Sequence, residues 1–267
     1  MKKDDFNIIQ KKLNNYKFSS MAYTEYEDIC GYEVEIANDD IILIYGFNTE
    51  AKTNEYHWAA NTAECLLKYL GNKKDFLLTF APHEWIPDLE KAGFVIRNAW
   101  HDYFNKDFKD IVPSSDFDFL KIDECTKASE LTLMCRNQSR GFTGQTPEWI
   151  SDWINNKNGN STDTNNNAIL VERNENNEIL GLLCTATYPH TSKSGNVVWV
   201  RELAVNPKYQ NQGIGRKLLM NCFSYGKFFN ADEAYLAADE QNDGAIHLYR
   251  SVGFRPSNEE SQIDMLK

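Results

Sequence analysis

The clearest pattern of hydrophobic and polar positions lies between residues 197 and 229. Residues 197–205 are rich in β-branched and aromatic side chains and are followed by Asn206 and Pro207, which predicts a β-strand that ends there. Apolar residues then recur close to every 3.6 positions, at Ile214, Leu218, Cys222, Tyr225 and Phe229. This spacing predicts an amphipathic helix, joined to the strand by a short polar loop.

The same criteria predict the other elements of the chain. In the second half, strands are expected at 117–122, 168–173, 179–188 and 233–238, and helices at 126–136, 147–155 and 242–253. In the first half, strands are expected at 32–37, 41–47 and 76–80, and helices at 62–70 and 87–92. The Asn-rich segment 155–167 is predicted to be a solvated loop, and 174–177 a hairpin turn.

The composition limits the class of protein. The 267 residues are 42% hydrophobic, enough for a real core, and no stretch approaches the ~20 apolar residues that cross a bilayer. No apolar run follows the first residues, and the six cysteines form no Cys-x-x-Cys pair, so we expect a cytoplasmic protein without a zinc site. The net charge of −11 argues against nucleic acid and favours a cationic or small-molecule partner.

The loop at residues 210–217 has the composition of a phosphate site. Gly213 and Gly215 stand where the predicted helix begins, so an anion could approach free backbone N–H groups at the positive end of the helix dipole. A Walker loop is excluded because Arg216 and Lys217 follow Gly215 where Lys and Ser or Thr are required. A dinucleotide fingerprint is weak because its third glycine position is Leu218.

A third phosphate pattern fits in register. Gln210, Gly213 and Gly215 follow a strand that ends Leu203-Ala204-Val205, and this resembles the acetyl-CoA pyrophosphate loop of the GNAT superfamily of N-acetyltransferases. A second segment, 242–254, resembles the family's other signature, in which an Asn opens a helix and Gly-Phe closes it. Two motifs in order are far more specific than either alone. The resemblance covers roughly residues 113–267.

The resemblance implies an α/β fold with a mixed sheet. Residues 113–267 are expected to form a catalytic GNAT domain. Residues 1–112 are expected to form a shortened, degenerate GNAT-like domain, because their Ala92-Gly93-Phe94 parallels Val252-Gly253-Phe254 but the phosphate loop is missing. The alternative is that Ala-Gly-Phe is only a common helix end.

The resemblance also implies an activity, acetyl-CoA-dependent N-acetyl transfer to a primary amine by direct attack through a tetrahedral intermediate, without a metal. A different class remains open, a catalytically lapsed CoA-binding sensor or scaffold. Family motifs place the cofactor on Leu203, Ala204, Val205, Gln210, Asn211, Gln212, Gly213, Ile214, Gly215, Arg216, Lys217, Asn242, Ala245 and Tyr249.

Two of these positions, Leu203 and Tyr249, carry predicted catalytic roles, together with Glu202. By the resemblance, Tyr249 protonates the leaving thiolate, Glu202 receives the amine proton, and the N–H of Leu203 stabilises the oxyanion. Each has a structural alternative: a core aromatic for Tyr249, and a cross-strand partner of a cation for Glu202. Asn242 could be a plain N-cap, and Arg216 and Lys217 a solvated helix turn.

The acceptor is expected to bind between 137–145, Trp149, Trp153 and the hairpin 187–196. Gly141, Gly144 and Gly195 make these loops adaptable, and the aromatic side chains are expected to line a pocket. The acidic chain favours a cationic amine, either a small molecule or a peptide. The first half is expected to help form this site and to bind no second CoA.

Overall fold

The computed structural model of the chain describes residues 1–22, 24–49, 51–107, 110–136, 138–156, 164–190 and 194–267. Its contacts divide it into two compact units. The first unit comprises Met1–Ala99 together with Ser261–Lys267, and the second comprises Trp100–Glu260. Each unit has its own packed core.

The first unit contains strands and helices in the following order: α1 (Lys3–Lys12), β1 (Phe18–Ser19), α2 (Tyr26–Ile29), β2 (Glu33–Ala37), β3 (Ile41–Asn48), β4 (Thr53–Ala60), α3 (Ala63–Leu70), β5 (Phe76–Ala81), α4 (Ile86–Lys91), the start of β6 (Val95–Asn105) and, from the end of the chain, β12 (Gln262–Leu266). Strands β2, β3 and β4 are antiparallel neighbours, β4 and β5 are parallel, and β12 is antiparallel to β5. The short β1 pairs with β4.

Both faces of this sheet are covered because β3 and β4 bury alternate side chains on opposite sides. On one side Trp58, Leu66 and Phe76 pack into a cluster with residues of α3 and α4. On the other side Ile42 and Ile44 pack with residues of α1 and α2. This two-sided burial explains why β3 begins with four consecutive apolar residues.

The second unit contains the end of β6, then α5 (Cys125–Met134), α6 (Pro147–Ile154), β7 (Asn165–Arg173), β8 (Ile179–Pro189), β9 (Asn196–Val205), α7 (Ile214–Phe228), β10 (Ala231–Asp239), α8 (Asp243–Ser251) and β11 (Arg255–Pro256). Strands β7, β8 and β9 are antiparallel neighbours, β10 is parallel to β9, and β6 is antiparallel to β10. Helix α7 connects β9 to its parallel neighbour β10, as a crossover must.

Two clusters fill the core of the second unit. Leu218, Cys222 and Phe223 of α7 pack with strand residues and with Phe254. Trp153 of α6 packs in the other cluster with residues of α5, β7 and β8. Within the described residues, no helix is both long enough and apolar enough to span a membrane.

Most predicted elements are confirmed, including the mixed α/β class, the strand before residue 206 and the two helices that carry the motifs. The strand predicted at 117–122 is wrong. Phe119 makes only an isolated bridge to Leu170, and the chain turns into a 3₁₀ helix at Ile122–Glu124. The predicted loop at 155–167 is also corrected: Asn165 already belongs to β7, while 157–163 lie outside the described residues.

The division into compact units differs from the predicted boundary at residue 113. Strand β6 continues the sheet of the second unit as far as Asn105, through its pairing with β10. The last residues belong to the first unit because β12 pairs with β5. The assignment of 1–112 and 113–267 as functional domains stays a prediction.

Candidate functional site

Strands β9 and β10 separate partway along their length. Their parallel pairing runs from Asn196 opposite Ala231 to Trp199 opposite Tyr235 and then stops, although β9 continues to Val205 and β10 to Asp239. We call the two unpaired edges, residues 200–205 and 236–239, the strand gap. The outer edges of both strands stay paired, β9 with β8 and β10 with β6. The gap therefore opens inside the sheet rather than at its border.

The pairing of β9 with β8 fixes which backbone groups face the strand gap. The Asn206 N–H donates to the Leu180 carbonyl at 2.9 Å, and Ala204 lies opposite Leu182 two residues earlier. Since antiparallel pairs alternate in direction, Ala204 points its backbone groups to β8, and Leu203 points its own to the gap. The N–H of Leu203 is thus directed where the predicted oxyanion donor should be.

The loop that follows β9 presents free amides. Gly213 precedes α7 in the left-handed conformation with φ +83°, a backbone geometry that favours glycine. Within the part of the chain that the structure describes, the N–H groups of Ile214, Gly215 and Arg216 donate no hydrogen bond to the protein. The first amides of a helix lack intrahelical acceptors, and with the helix dipole they favour an anion. These groups fit a diphosphate.

Gly215 owes its identity to packing as well. A Cβ at this position would come within 2.9 Å of the Leu248 side chain and 3.7 Å of Val205. The missing side chain therefore lets the start of α7 approach α8 and the end of β9. The structure thus gives a second reason for glycine here, beside the room for pyrophosphate.

The polar side chains of the loop are held by the protein. Gln210 Nε2 donates to the Val205 carbonyl at 3.1 Å and to Gln138 Oε1 at 2.8 Å. The Arg216 guanidinium donates to Ser251 at the end of α8, and Lys217 Nζ donates to Glu172 at 2.5 Å. Contacts of these three side chains with a phosphate stay predictions.

Helix α8 is bounded as the sequence indicated. Asn242 Oδ1 accepts a hydrogen bond from the Ala245 N–H at 3.3 Å, which makes Asn242 the N-cap. Gly253 has φ +105°, and the Phe254 N–H donates to the Tyr249 carbonyl at 3.1 Å. This is the bond of a glycine-terminated helix end. The capping role of Asn242 needs no ligand, so its contact with CoA stays a prediction.

Tyr249 is half-buried and packs against the core of the second unit. Its ring lies edge-on to Phe254, with 6.0 Å between the centroids. Burial raises the pKa of Tyr249 to about 12. Its hydroxyl makes no hydrogen bond to any residue that the structure describes. The phenol is therefore protonated at neutral pH, in the state that a proton donor requires.

Glu202 is buried, with 7% of its surface exposed. Its Oε1 accepts a hydrogen bond from Gln145 Nε2 and lies 3.7 Å from Nη1 of Arg201. Cys184 lies opposite it on β8, and burial, with the nearby carboxylate, raises the pKa of that thiol well above its usual value. Glu202 thus lies near a cation, but Arg201 precedes it on the same strand, and the residue across from it is Cys184. Its role as a base remains to be tested.

Aromatic side chains lie beside Arg201, the residue that precedes Glu202. Trp149 and Trp153 stack, with their ring centroids 5.4 Å apart and the planes 13° from parallel. Trp199 meets Trp153 edge-on, and the Arg201 guanidinium lies 5.7 Å from Trp149 and 5.6 Å from Trp199. Trp149 and Trp153 belong to the predicted acceptor region, whereas Trp199 is not part of that prediction. Residues 137 and 191–193 of the region lie outside the described residues.

Sequence reasoning missed the contacts that tie the segment between α5 and α6 to the strand ends. Arg140 pairs with buried Asp239 at the end of β10, at 3.0 Å, while Gln145 bonds Glu202 of β9. The segment was predicted only as an acceptor loop, because contacts between residues so far apart in the chain leave no local pattern. No group of His, Cys, Asp and Glu suited to a metal occurs among the residues described.

Comparison with known proteins gives a family for this region. Residues 132–254 match the Acetyltransferase (GNAT) family. The chain is 41% identical over 56 residues to N-alpha-acetyltransferase RimI of Mycobacterium tuberculosis, covering 21% of this chain and 34% of that protein. It is 32% identical over 59 residues to spermidine N(1)-acetyltransferase of Escherichia coli, covering 22% and 32%. The chain therefore spans about a third of the length of these relatives.

Solved structures match over nearly the whole chain. A conserved protein of unknown function from Staphylococcus epidermidis aligns with a TM-score of 0.53 at 16% identity, covering 93% of this chain and 99% of its own. A GCN5-related N-acetyltransferase from Sphaerobacter thermophilus aligns with a TM-score of 0.52 at 13% identity, covering 84% and 75%. At such identities these alignments show a shared fold.

Proposed function

Residues 132–254 form a domain of the GNAT acetyltransferase family, and from this premise we propose that the second unit transfers an acetyl group from acetyl-CoA to a primary amine. The observation that carries the proposal is the strand gap beside the free amides at the start of α7. The amides of an extended pantetheine arm can pair with an unpaired strand edge, and a helix N-terminus favours a diphosphate. The second unit offers both next to each other.

In this proposal the N–H groups of Ile214, Gly215 and Arg216 bind the pyrophosphate of acetyl-CoA. The unpaired edge of β9 at Leu203 and Val205 pairs with the pantetheine amides. The remaining predicted cofactor residues line this path: Ala204, Gln210, Asn211, Gln212, Gly213, Lys217, Asn242, Ala245 and Tyr249. The thioester then lies near the N–H of Leu203.

The proposed chemistry begins with deprotonation of the acceptor. An amine with a pKa near 10 is mostly protonated at neutral pH, and presenting it uncharged costs ~4 kcal/mol. Glu202 accepts this proton through water. The free amine attacks the thioester carbonyl, forming the N–C bond, and the N–H of Leu203 stabilises the oxyanion.

Collapse of the tetrahedral intermediate breaks the C–S bond. Tyr249 donates its proton to the departing thiolate and regains one from the substituted nitrogen, which ends as an amide. The proton taken by Glu202 passes to solvent. The balance is one ammonium and one thioester converted to one amide, one thiol and one released proton.

The acceptor is proposed to be a cationic amine. Three relatives are named as acetyltransferases of spermidine or of spermine and spermidine, and one as an N-alpha-acetyltransferase. The names of the relatives therefore include a small cationic amine and an alpha-amino group. Glu202 is a buried carboxylate, and its negative charge favours a cationic acceptor. Negative charge also opposes deprotonation of the amine, so the acceptor must be tested directly.

The test is release of free thiol from acetyl-CoA in the presence of polyamines, aminoglycosides and peptides with free N-termini. We expect release that depends on one of these classes and falls in the variants Glu202→Gln and Tyr249→Phe. Binding of acetyl-CoA without release from any amine would contradict the proposed transfer and favour a CoA-binding sensor or scaffold.

A further inference from the structure

The side chain of Gln145 contacts Glu202 directly. Its Nε2 donates a hydrogen bond to Glu202 Oε1. A carboxylate with 7% exposure has lost most of its water, so each hydrogen bond from the protein weighs heavily on its ionisation. An amide N–H donor stabilises the charged form and cannot itself compete as a base at neutral pH.

The backbone of Gln145 is fixed by two buried hydroxyls of α5. The Gln145 N–H donates to Thr132 Oγ1 at 2.9 Å, and Ser129 Oγ donates to the Gln145 carbonyl at 2.7 Å. Gly144 precedes it in the left-handed conformation at φ +77°, and a Cβ there would lie 3.0 Å from the backbone N of Leu133. This glycine lets the segment lie directly on α5.

The consequence is that the backbone from which the Gln145 side chain extends is held in place before a substrate binds. A donor on a mobile loop would lose part of its effect to the entropy of ordering the loop. Here Thr132 and Ser129 are themselves buried, with 1% and 4% exposure, and Thr132 Oγ1 also donates to the Ser129 carbonyl at 2.8 Å. Pre-arranged groups of this kind support active sites through the residues they orient.

We propose that Gln145 is a positioning residue, which holds Glu202 in the orientation and the ionised state in which it receives the amine proton. This inference rests on the proposed acetyl transfer. Two other groups facing Glu202 belong to its own strand and to β8: the guanidinium of Arg201 and the thiol of Cys184. Both are carried by paired strands, so we expect them to stay in place when Gln145 is replaced, and a change in the titration of Glu202 then reports on Gln145.

The experiment uses the full-length chain with two replacements of Gln145. Gln145→Leu keeps the approximate volume and removes the donor, while Gln145→Glu keeps the shape and places a second carboxyl beside Glu202. The ¹³C signal of the Glu202 carboxyl is titrated by NMR without substrate, assigned with Glu202→Gln. The pH profile of kcat/KM is measured with the best amine from the thiol-release panel.

We expect the midpoint of the Glu202 titration to rise in the order wild type, Gln145→Leu, Gln145→Glu, because like charge opposes ionisation more than a lost donor does. The acid limb of the kcat/KM profile should move to higher pH in the same order. For Gln145→Leu the move should be about one pH unit, which is about a tenfold loss of kcat/KM at a pH below the midpoint. The KM for acetyl-CoA should stay unchanged. Thr132→Val should produce a smaller shift in the same direction.

Two failures are distinguishable. If the carboxyl titrates identically in the wild type and both Gln145 variants, all folded by circular dichroism, the positioning role is overturned. If the titration shifts as expected but the wild type transfers acetyl to none of the amines, the proposed function is overturned. The catalytic role of the contact between Gln145 and Glu202 is then overturned as well.

Discussion

Both units of the chain contain a parallel pair of strands that separates toward its carboxyl end, and the comparison shows what makes one of them a site. In the first unit β4 and β5 pair only from Asn54 opposite Phe76 to Tyr56 opposite Leu78. In the second unit β9 and β10 stop pairing at Trp199 and Tyr235. In each, the helix after the second strand ends in a left-handed glycine, Gly93 or Gly253.

The helix ends match in detail. The Phe94 N–H donates to the Leu89 carbonyl at 3.0 Å, and the Phe254 N–H donates to the Tyr249 carbonyl at 3.1 Å. Leu89 therefore stands where the second unit has Tyr249. The parallel supports the interpretation of the first half as a shortened unit of the same kind, with an apolar residue in the place of the proposed acid.

The difference lies in what occupies the separated edges. Strand β3 takes one edge of β4 along its whole length, so β1, which pairs Phe18 with Ala60, must lie on the edge that faces β5. Trp58 also reaches across, its Nε1 donating to the Thr79 carbonyl at 2.9 Å. The first unit thus fills with its own chain the position that the second unit leaves open. An unpaired edge and free helix amides, not the strand arrangement alone, distinguish a binding site.

The largest effect is expected from cutting the chain at the two candidate boundaries. A fragment of residues 113–267 loses β6 from the edge of β10 and leaves β12 without β5, whereas 100–260 keeps the second unit intact. We expect 100–260 to unfold cooperatively and 113–267 to aggregate or unfold without a transition. Thermal melts of both fragments check this, and equal stability would contradict the compact units.

The same fragment tests the role of the first half. The sequence predicts that the first half contributes to the acceptor site, so 100–260 should show a raised KM for the amine. Acceptor kinetics equal to those of the full chain would refute that prediction.

The next effect concerns the filled edges of the first unit. Trp58 is completely buried, so Trp58→Ala should destabilise the protein by about 3–5 kcal/mol. Trp58→Phe retains most of the volume but loses the hydrogen bond to Thr79. The lost bond should cost about 1 kcal/mol, and the smaller ring adds a further loss of packing. Denaturant unfolding measures both. A loss of acetyl-CoA affinity in either folded variant would contradict the absence of a cofactor site in the first unit.

A smaller effect is expected at the residue that differs between the matched helices. Tyr249→Phe should lower kcat by ~10²-fold with little change in acetyl-CoA affinity, because only the proton donor is lost. Since burial raises the pKa of Tyr249 to about 12, its donor form persists as pH rises through 10, and kcat should not fall there from its ionisation. The control is Tyr225→Phe, which removes a hydroxyl bonded to the Asn166 carbonyl at 2.8 Å in the same core cluster. If the two variants have equal turnover, with chemistry rate-limiting, Tyr249 is a core aromatic residue and not the proton donor.

The local part of this picture could be predicted from the sequence. The end of β9, the start of α7 and both ends of α8 could be predicted. Pro207, Gly213 and Gly253 act through their own backbone, and Asn242 acts through its side-chain cap. Strand β4 was missed because Glu55 and His57 interrupt its apolar pattern. The fold buries both, and Glu55 accepts hydrogen bonds from Tyr32 at 2.5 Å and Asn48 at 2.7 Å. Partners 7 and 23 residues away along the chain leave no local signal.

The site divides in the same way. The loop glycines and Tyr249 could be identified from motifs, whereas the strand gap, the β1 strand on β4 and the Gln145 contact depend on pairing between distant segments. Propensity and periodicity describe single elements and do not fix such pairings.

Calorimetric titration of the full-length chain with acetyl-CoA tests the central claim most directly. We predict binding of one molecule per chain, because among the residues that the structure describes the second unit alone joins an open strand edge to free helix amides. Gly213→Val should weaken it on the order of 100-fold, since its φ of +83° strains a branched residue at the amides that bind the diphosphate. Gly31→Val, at a position where a Cβ meets nothing within 4 Å, is the control and should bind as wild type. Two bound molecules per chain, or unchanged affinity in a folded Gly213→Val, would contradict the account.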